Sequence, residues 1–116
     1  MKKIEAARLA SAMAQVSNKG LDPKKGLKLY RFYQGLKDVQ DEVREYEQKL
    51  RKDYGIKKEG NDLEMMRKYN EALAEILGED ADIKVEPFLT EEEAVDILGK
   101  ALTMEGLSAV IPIVAK

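Results

Sequence analysis

The side chains in this sequence that could do chemistry are carboxylates, lysines, tyrosines and serines, because histidine and cysteine are both absent. The chain therefore lacks the commonest general base, the commonest metal ligand and the thiol nucleophile. Ser11, Ser17 and Ser108 have no base partner in a recognisable pattern, and the sequence around Ser108 is not a nucleophile elbow. Residues 20–26 do not match a phosphate-binding loop. We expect no catalytic residues and no enzymatic activity.

Three acidic clusters could offer oxygen ligands to a hard cation: Glu91 to Glu93, Glu79 to Asp82, and Asp41 to Glu45. The first cluster follows Thr90 in a capping-box pattern, so a helix start explains it. The second lacks the spacing of a calcium loop. The third flanks an apolar helical stripe and lacks the histidine that often accompanies carboxylates in a bundle-core metal site. We therefore predict no metal and no cofactor.

An aromatic and basic cluster, formed by Tyr30, Phe32 and Tyr33 with Lys28 and Arg31, could stack nucleic-acid bases. However, 20 basic and 22 acidic residues give a net charge of −2. This balance supplies no overall attraction to nucleic acid or to an anionic membrane, and we expect neither as a partner. Tyrosine is enriched at the energetic centres of protein interfaces. Tyr30 and Tyr33 are therefore the best candidates for such a centre.

These residues belong to the clearest element of the sequence, a long helix predicted from about residue 23 to 54. Asp22 can cap its first turn, proline at the first position loses no needed donor, and Gly55 ends it. Apolar residues follow a 3-4 spacing that is typical of a coiled-coil seam. The seam and its two neighbouring tyrosines form the predicted protein interface: Leu29, Tyr30, Phe32, Tyr33, Leu36, Val39, Val43, Tyr46 and Leu50.

A third helix is predicted over 61–77, capped by Asn61 or Asp62 and ended by Gly78. It repeats the 3-4-3 spacing, so it should form an antiparallel hairpin with the long helix. Because it is shorter, part of the long seam must meet something else. The two alternatives are the first helix, predicted over residues 2–18, and another subunit.

The remaining segments complete a mainly α fold in a single domain, residues 1–116. Alternation over 82–86 weakly predicts a strand, paired with 56–58 or with its equivalent in a dimer. A fourth helix is predicted over 91–102, and a last one over 104–111, stopped by Pro112. No signal peptide is recognisable, and the longest apolar stretch near the C-terminus, 109–115, is far shorter than the ~20 residues of a membrane-spanning helix. A cytosolic location is expected.

Four stretches together carry a resemblance to a known family. They are Asn18 to Leu21 at the end of the first helix, Glu45 to Leu50 with Tyr54-Gly55, Ile76 to Val85, and Leu107 to Ile113. In this order they resemble a family of short, functionally uncharacterised helical proteins encoded by tailed phages and prophages. The resemblance implies a phage origin, and with it a location in the cytoplasm of the infected host or in the virion. It carries over no catalytic or binding residue.

Two functions follow from these expectations. The first is a non-enzymatic phage protein, a virion or assembly component, that acts by helix packing with itself or with another phage or host protein. The alternative is a small phage inhibitor that binds a host defence protein or host enzyme.

Overall fold

A computed structural model describes residues 1–16, 20–83, 85–99 and 103–114, and the predicted mainly helical fold is confirmed. Within these residues the α-helices are α1 (Lys3–Met13), α2 (Pro23–Asp53), α3 (Leu63–Leu77), α4 (Glu91–Leu98) and α5 (Met104–Val110). A 3₁₀ helix, Ile111–Ile113, follows α5 and contains the proline predicted to stop it.

The long helix α2 begins and ends at its predicted local signals. The Asp22 carboxylate accepts a hydrogen bond from the backbone N–H of Lys25 at 2.9 Å. At the other end Gly55 has a φ of +62°, which glycine adopts without steric cost. The N–H of Ile56 then reaches back to the carbonyl of Arg51 at 2.8 Å, as in a Schellman motif.

The first helix is shorter than predicted. It ends at Met13 rather than near Asn18, and the backbone then turns at residues 14–15. Residues 17–19, where the predicted end fell, lie outside the described residues. Gly20 has a φ of +93° as expected for a left-handed glycine, but it lies well beyond the end of α1.

The seam of α2 is covered within the chain, by α1 along its first part and by α3 along its last part. Ala6 and Ala10 of α1 lie in one hydrophobic cluster with the seam, and Gln40 of α2 donates to the carbonyl of Ala7 at 2.9 Å and to the hydroxyl of Ser11 at 2.7 Å. Of the two alternatives left by the sequence, the first helix is thus the one observed.

An ion cluster joins the start of α1 to the end of α3. The Lys3 ammonium donates to the carboxylates of Glu42 at 2.7 Å and Glu79 at 3.0 Å, and the Lys3 backbone N–H donates to the carbonyl of Glu79 at 2.8 Å. The Glu42 hydrogen bond, followed by that of Glu79, raises the pKa of Lys3 above its ordinary value. This lysine therefore ties three helices together at one point.

The predicted capping box is present at the start of α4. Thr90 accepts from the N–H of Glu93 at 3.1 Å, and the Glu93 carboxylate accepts from the N–H of Thr90 at 3.0 Å. The same carboxylate accepts from the Lys25 ammonium at 2.5 Å, which links α4 to the first turn of α2. The end of the predicted 91–102 helix, residues 100–102, lies outside the described residues.

The predicted strand over 82–86 is wrong, because the described residues of that range, 82–83 and 85–86, form no strand. Lys84 lies outside the described residues. Asp82 has a φ of +52°, which interrupts an extended chain. The flanking backbone instead bonds to the chain ends. The N–H of Ala81 donates to the carbonyl of Met1 at 2.8 Å, and the N–H of Leu89 donates to the carbonyl of Ile113 at 3.0 Å.

The molecule is elongated because the hairpin of α2 and α3 extends beyond the other helices. Its radius of gyration is 17.1 Å, against about 13 Å for a compact chain of this length, and its longest extent is 52 Å. We call residues 41–80 the arm and the rest of the chain the body. The main hydrophobic cluster lies in the body and at the base of the arm, and it does not include Leu50 and Tyr69 of the arm. Across the described segments, no helix is both long and apolar enough to cross a membrane.

Candidate functional site: the helical arm

The predicted interface residues fall into three groups by exposure. Six are buried and two are partly buried, and only the Tyr30 side chain is largely exposed, at 57%. The buried six are Leu29, Phe32, Leu36, Val39, Val43 and Leu50, and the partly buried two are Tyr33 and Tyr46. The seam therefore supplies the interior of this chain and is not an open surface.

The aromatic and basic cluster around Tyr30 is divided by the fold. Tyr33 packs against the main core, whereas Tyr30 points into solvent. The Lys28 ammonium lies 5.9 Å from the centre of the Phe88 ring, within reach of a cation–π contact. Tyr30 and Tyr33 therefore do not form one exposed aromatic surface.

Two clefts lie on the body, and both mix charges of opposite sign. The first, of about 610 Å³, lies between α2 and residues 81–83, 86 and 88, and Arg31, Asp82 and Glu86 are among its lining residues. The second, of about 530 Å³, lies between α1 and α5 and includes Arg8 and Glu105. Among the described lining residues, the first cleft has two basic and three acidic side chains and the second has one basic and two acidic, so opposite charges nearly balance in each.

Two of the three serines named from the sequence, and members of the acidic clusters, have structural partners; Ser17 lies outside the described residues. The Asp80 carboxylate accepts from the N-terminal amine at 3.2 Å, and Glu93 belongs to the capping box. Ser11 accepts from Gln40, and Ser108 donates to the carbonyl of Met104 at 2.8 Å. Within the described ranges, no three His, Cys, Asp or Glu side chains are grouped so that they could hold a metal ion.

The arm has apolar side chains that the hairpin covers only in part. At 100° per residue, the apolar residues of α3 span about 180° of the helix surface, from Ala72 on one side to Leu63 on the other. Of these only Tyr69, which lies about 60° from the Ala72 edge of the stripe, is buried. The exposed members are Leu63, at 87%, and Met65, at 39%. The partly buried members are Met66, Ala72, Leu73, Ile76 and Leu77.

This pattern of burial follows from packing one helix against one other. A helix buries side chains that face its neighbour, and a stripe this wide has flanks that a single neighbour cannot reach. The body covers Leu77 at the base of the arm, where that residue packs against the main core. Farther along the arm, both flanks of the α3 stripe remain partly open to solvent.

A polar cluster fixes the two helices of the arm in register. The Tyr69 hydroxyl donates to the Glu47 carboxylate at 3.2 Å, and Arg51 donates to Tyr69 at 3.3 Å and to Glu47 at 2.9 Å. The contact with Tyr69, and then that with Glu47, raises the pKa of Arg51 above its ordinary value. These contacts hold α3 against α2, but they do not cover the partly exposed flanks of the α3 stripe.

The two ends of the arm carry net charges of opposite sign. The tip, residues 48–68, has seven basic and four acidic residues, a net charge of +3. The base, residues 41–47 and 69–80, has one basic and eight acidic residues, a net charge of −7. Lys3 from the body is paired with Glu42 and Glu79 and offsets part of the negative charge of the base. The arm is therefore basic at one end and acidic at the other.

Comparisons with protein-family models, with curated proteins and with solved structures return no match for this chain.

The arm was not predicted as the candidate surface, because the predicted interface was placed on the seam of the long helix. Two signals in the sequence point to the arm. The apolar stripe of α3 is too wide for one neighbour, and the charges change sign between the tip and the base. Both can be read from the residues once the hairpin is assumed.

Proposed function

We propose that the chain is a non-enzymatic protein that acts by packing its arm against another protein chain. The observation that carries this proposal is the stripe of α3, whose apolar flanks α2 leaves partly uncovered. Apolar side chains left partly exposed along both flanks of one helix are a surface that a partner chain can cover. The absence of histidine and cysteine from the sequence is in keeping with a role in binding rather than catalysis.

We further propose that the partner belongs to a phage particle or to its assembly. The support for a phage origin is the resemblance of the four stretches to short helical phage proteins. The support for an assembly role is that helix packing through an elongated arm is a means by which subunits and assembly factors associate.

Site-specific photo-crosslinking tests this proposal. A benzophenone amino acid is placed at position 63 or 65 on the arm, and at position 95 on the body as a matched control. All three positions carry exposed apolar side chains: Leu63 is 87% exposed, Met65 is 39% exposed and Val95 is 53% exposed. We expect an adduct with a polypeptide from the arm positions, several-fold above that from position 95, in cells producing phage.

Each outcome of this experiment has a distinct meaning. Adducts with a phage structural protein, or with a second copy of the chain, support the proposal. Adducts with a host defence protein or host enzyme would assign the chain as an inhibitor instead. The proposal fails if the arm positions give no more adduct than position 95.

A further inference from the structure

We propose that the partner of the arm is a second copy of this chain, packed antiparallel so that the two arms form a four-helix bundle. This inference rests on the proposed function and identifies the partner of the same surface. It is carried by the charge division of the arm together with the open flanks of the α3 stripe.

The charge division favours a second copy in one orientation. In a twofold-symmetric pair of antiparallel arms, the tip of each arm lies beside the base of the other. Each tip, at +3, then faces a base at −7, and the attraction occurs twice in every dimer. A parallel pair would place tip against tip and base against base, and like charges would oppose one another at both ends.

The geometry of the arm suits a four-helix bundle. Each helix of such a bundle contacts two neighbours, and an apolar stripe of about 180° is wide enough for two. In the single chain α3 has only α2 along most of its length. An interface of standard size uses about 20–30 residues on each side, and one face of the arm, half of residues 41–80, provides about 20.

The central experiment reverses charge at each end of the arm. The tip variant replaces Lys49, Arg67 and Lys68 with Glu, and the base variant replaces Glu45, Glu71 and Glu75 with Lys. All six residues are exposed. A body variant in which Arg8, Lys24 and Lys37 become Glu matches the tip variant in total charge change. Circular dichroism checks that each variant is folded.

Sedimentation velocity over a range of concentrations then measures association. We expect the unmodified chain, of 13.1 kDa, to form a species of twice that mass. Association should weaken in 0.5 M salt, because salt screens exposed charges. The tip variant should associate at least tenfold more weakly, while the body variant changes less than threefold.

Mixing the two arm variants gives a test that a folding defect cannot imitate. In an antiparallel pair of one tip variant with one base variant, one unmodified tip still faces one unmodified base. We therefore expect the mixture to form a heterodimer more tightly than the tip variant pairs with itself. If mixing fails to restore association, the antiparallel arrangement is overturned.

A distance measurement tests the orientation directly. Because the chain contains no cysteine, Lys58→Cys places a single spin label near the tip. Antiparallel arms separate the two labels by roughly the length of α3, about 22 Å for 15 residues. Parallel arms would bring them to about the 8–10 Å spacing of neighbouring helices, which would overturn the proposal.

The failure of this inference is distinguishable from the failure of the proposed function. A chain that stays monomeric at every concentration overturns the second copy as partner. A tip variant that dimerises as well as the unmodified chain overturns the antiparallel pairing of the arms. If the arm positions still form adducts with a different protein, the proposed function stands. If neither self-association nor adducts are found, both are wrong.

Discussion

Replacing Ala10 with leucine should disrupt the packing of α1 against α2. Ala10 is 2% exposed, Ala6 is fully buried, and both belong to the cluster that contains the fully buried Leu36. Small residues at a helix contact let the two helices approach closely, because the side chains at the crossing set the distance between axes. A close-packed interior has no room for the three carbon atoms that leucine adds beyond Cβ.

The size of the effect follows from the burial of this site. Overpacking costs typically 1–3 kcal/mol, and a site as deeply buried as Ala10 should lie near the upper value, at about 3 kcal/mol. With 116 residues, the entropy of unfolding is about 0.24 kcal/mol per kelvin. The melting temperature should therefore fall by about 12 °C.

Ala14→Leu is the matched control, because Ala14 is exposed just after the end of α1. A surface substitution should change stability by less than about 0.5 kcal/mol, or about 2 °C. Thermal melts followed by circular dichroism, at one chain concentration and one salt concentration, compare the two variants. The reasoning is refuted if Ala10→Leu melts within 2 °C of Ala14→Leu.

Four further predictions concern other parts of the molecule. Gly35→Ala should stabilise the chain by about 0.5–1 kcal/mol in urea unfolding, because its Cβ would meet nothing within 4 Å inside a helix. Gly55→Ala should instead destabilise it by about 1–2 kcal/mol, because its φ is +62°, and equal effects for the two would contradict this account. Leu50→Ala, in the thin core of the arm, should cost about 2–3 kcal/mol, near the lower end for buried leucine, and should speed hydrogen exchange mainly within the arm. The hydrogen bond from Lys25, followed by that from the Thr90 backbone, lowers the pKa of the Glu93 carboxyl below its ordinary value of 4.5, so its stabilisation is present above that pH and is lost as the pH falls through the lowered pKa. Glu93→Gln should therefore lower the melting temperature at pH 7 but progressively less below about pH 4.5, and a difference that is constant with pH would count against this ion pair.

The sequence by itself determined the features that depend on neighbouring residues. Asp22, Gly55 and the Thr90–Glu93 pair act on backbone groups within a few positions of themselves. Helix caps satisfy amides and carbonyls of their own helix, so their signals can be read without knowing the fold. For this reason the ends of the long helix and the start of α4 were predicted correctly.

Only the tertiary structure decided which surfaces are covered. Tyr30 and Tyr33 lie three positions apart on one helix, yet Tyr33 packs against the main hydrophobic cluster and Tyr30 is exposed. The alternating pattern of residues 82–86 forms no strand in its described part, because a strand needs a partner and the flanking backbone pairs with the chain ends instead. Burial and strand pairing depend on where distant segments of the chain come to lie. The periodicity therefore identified the buried face of α2 and its hairpin with α3, but it could not decide between α1 and another subunit as the cover of the rest of the seam.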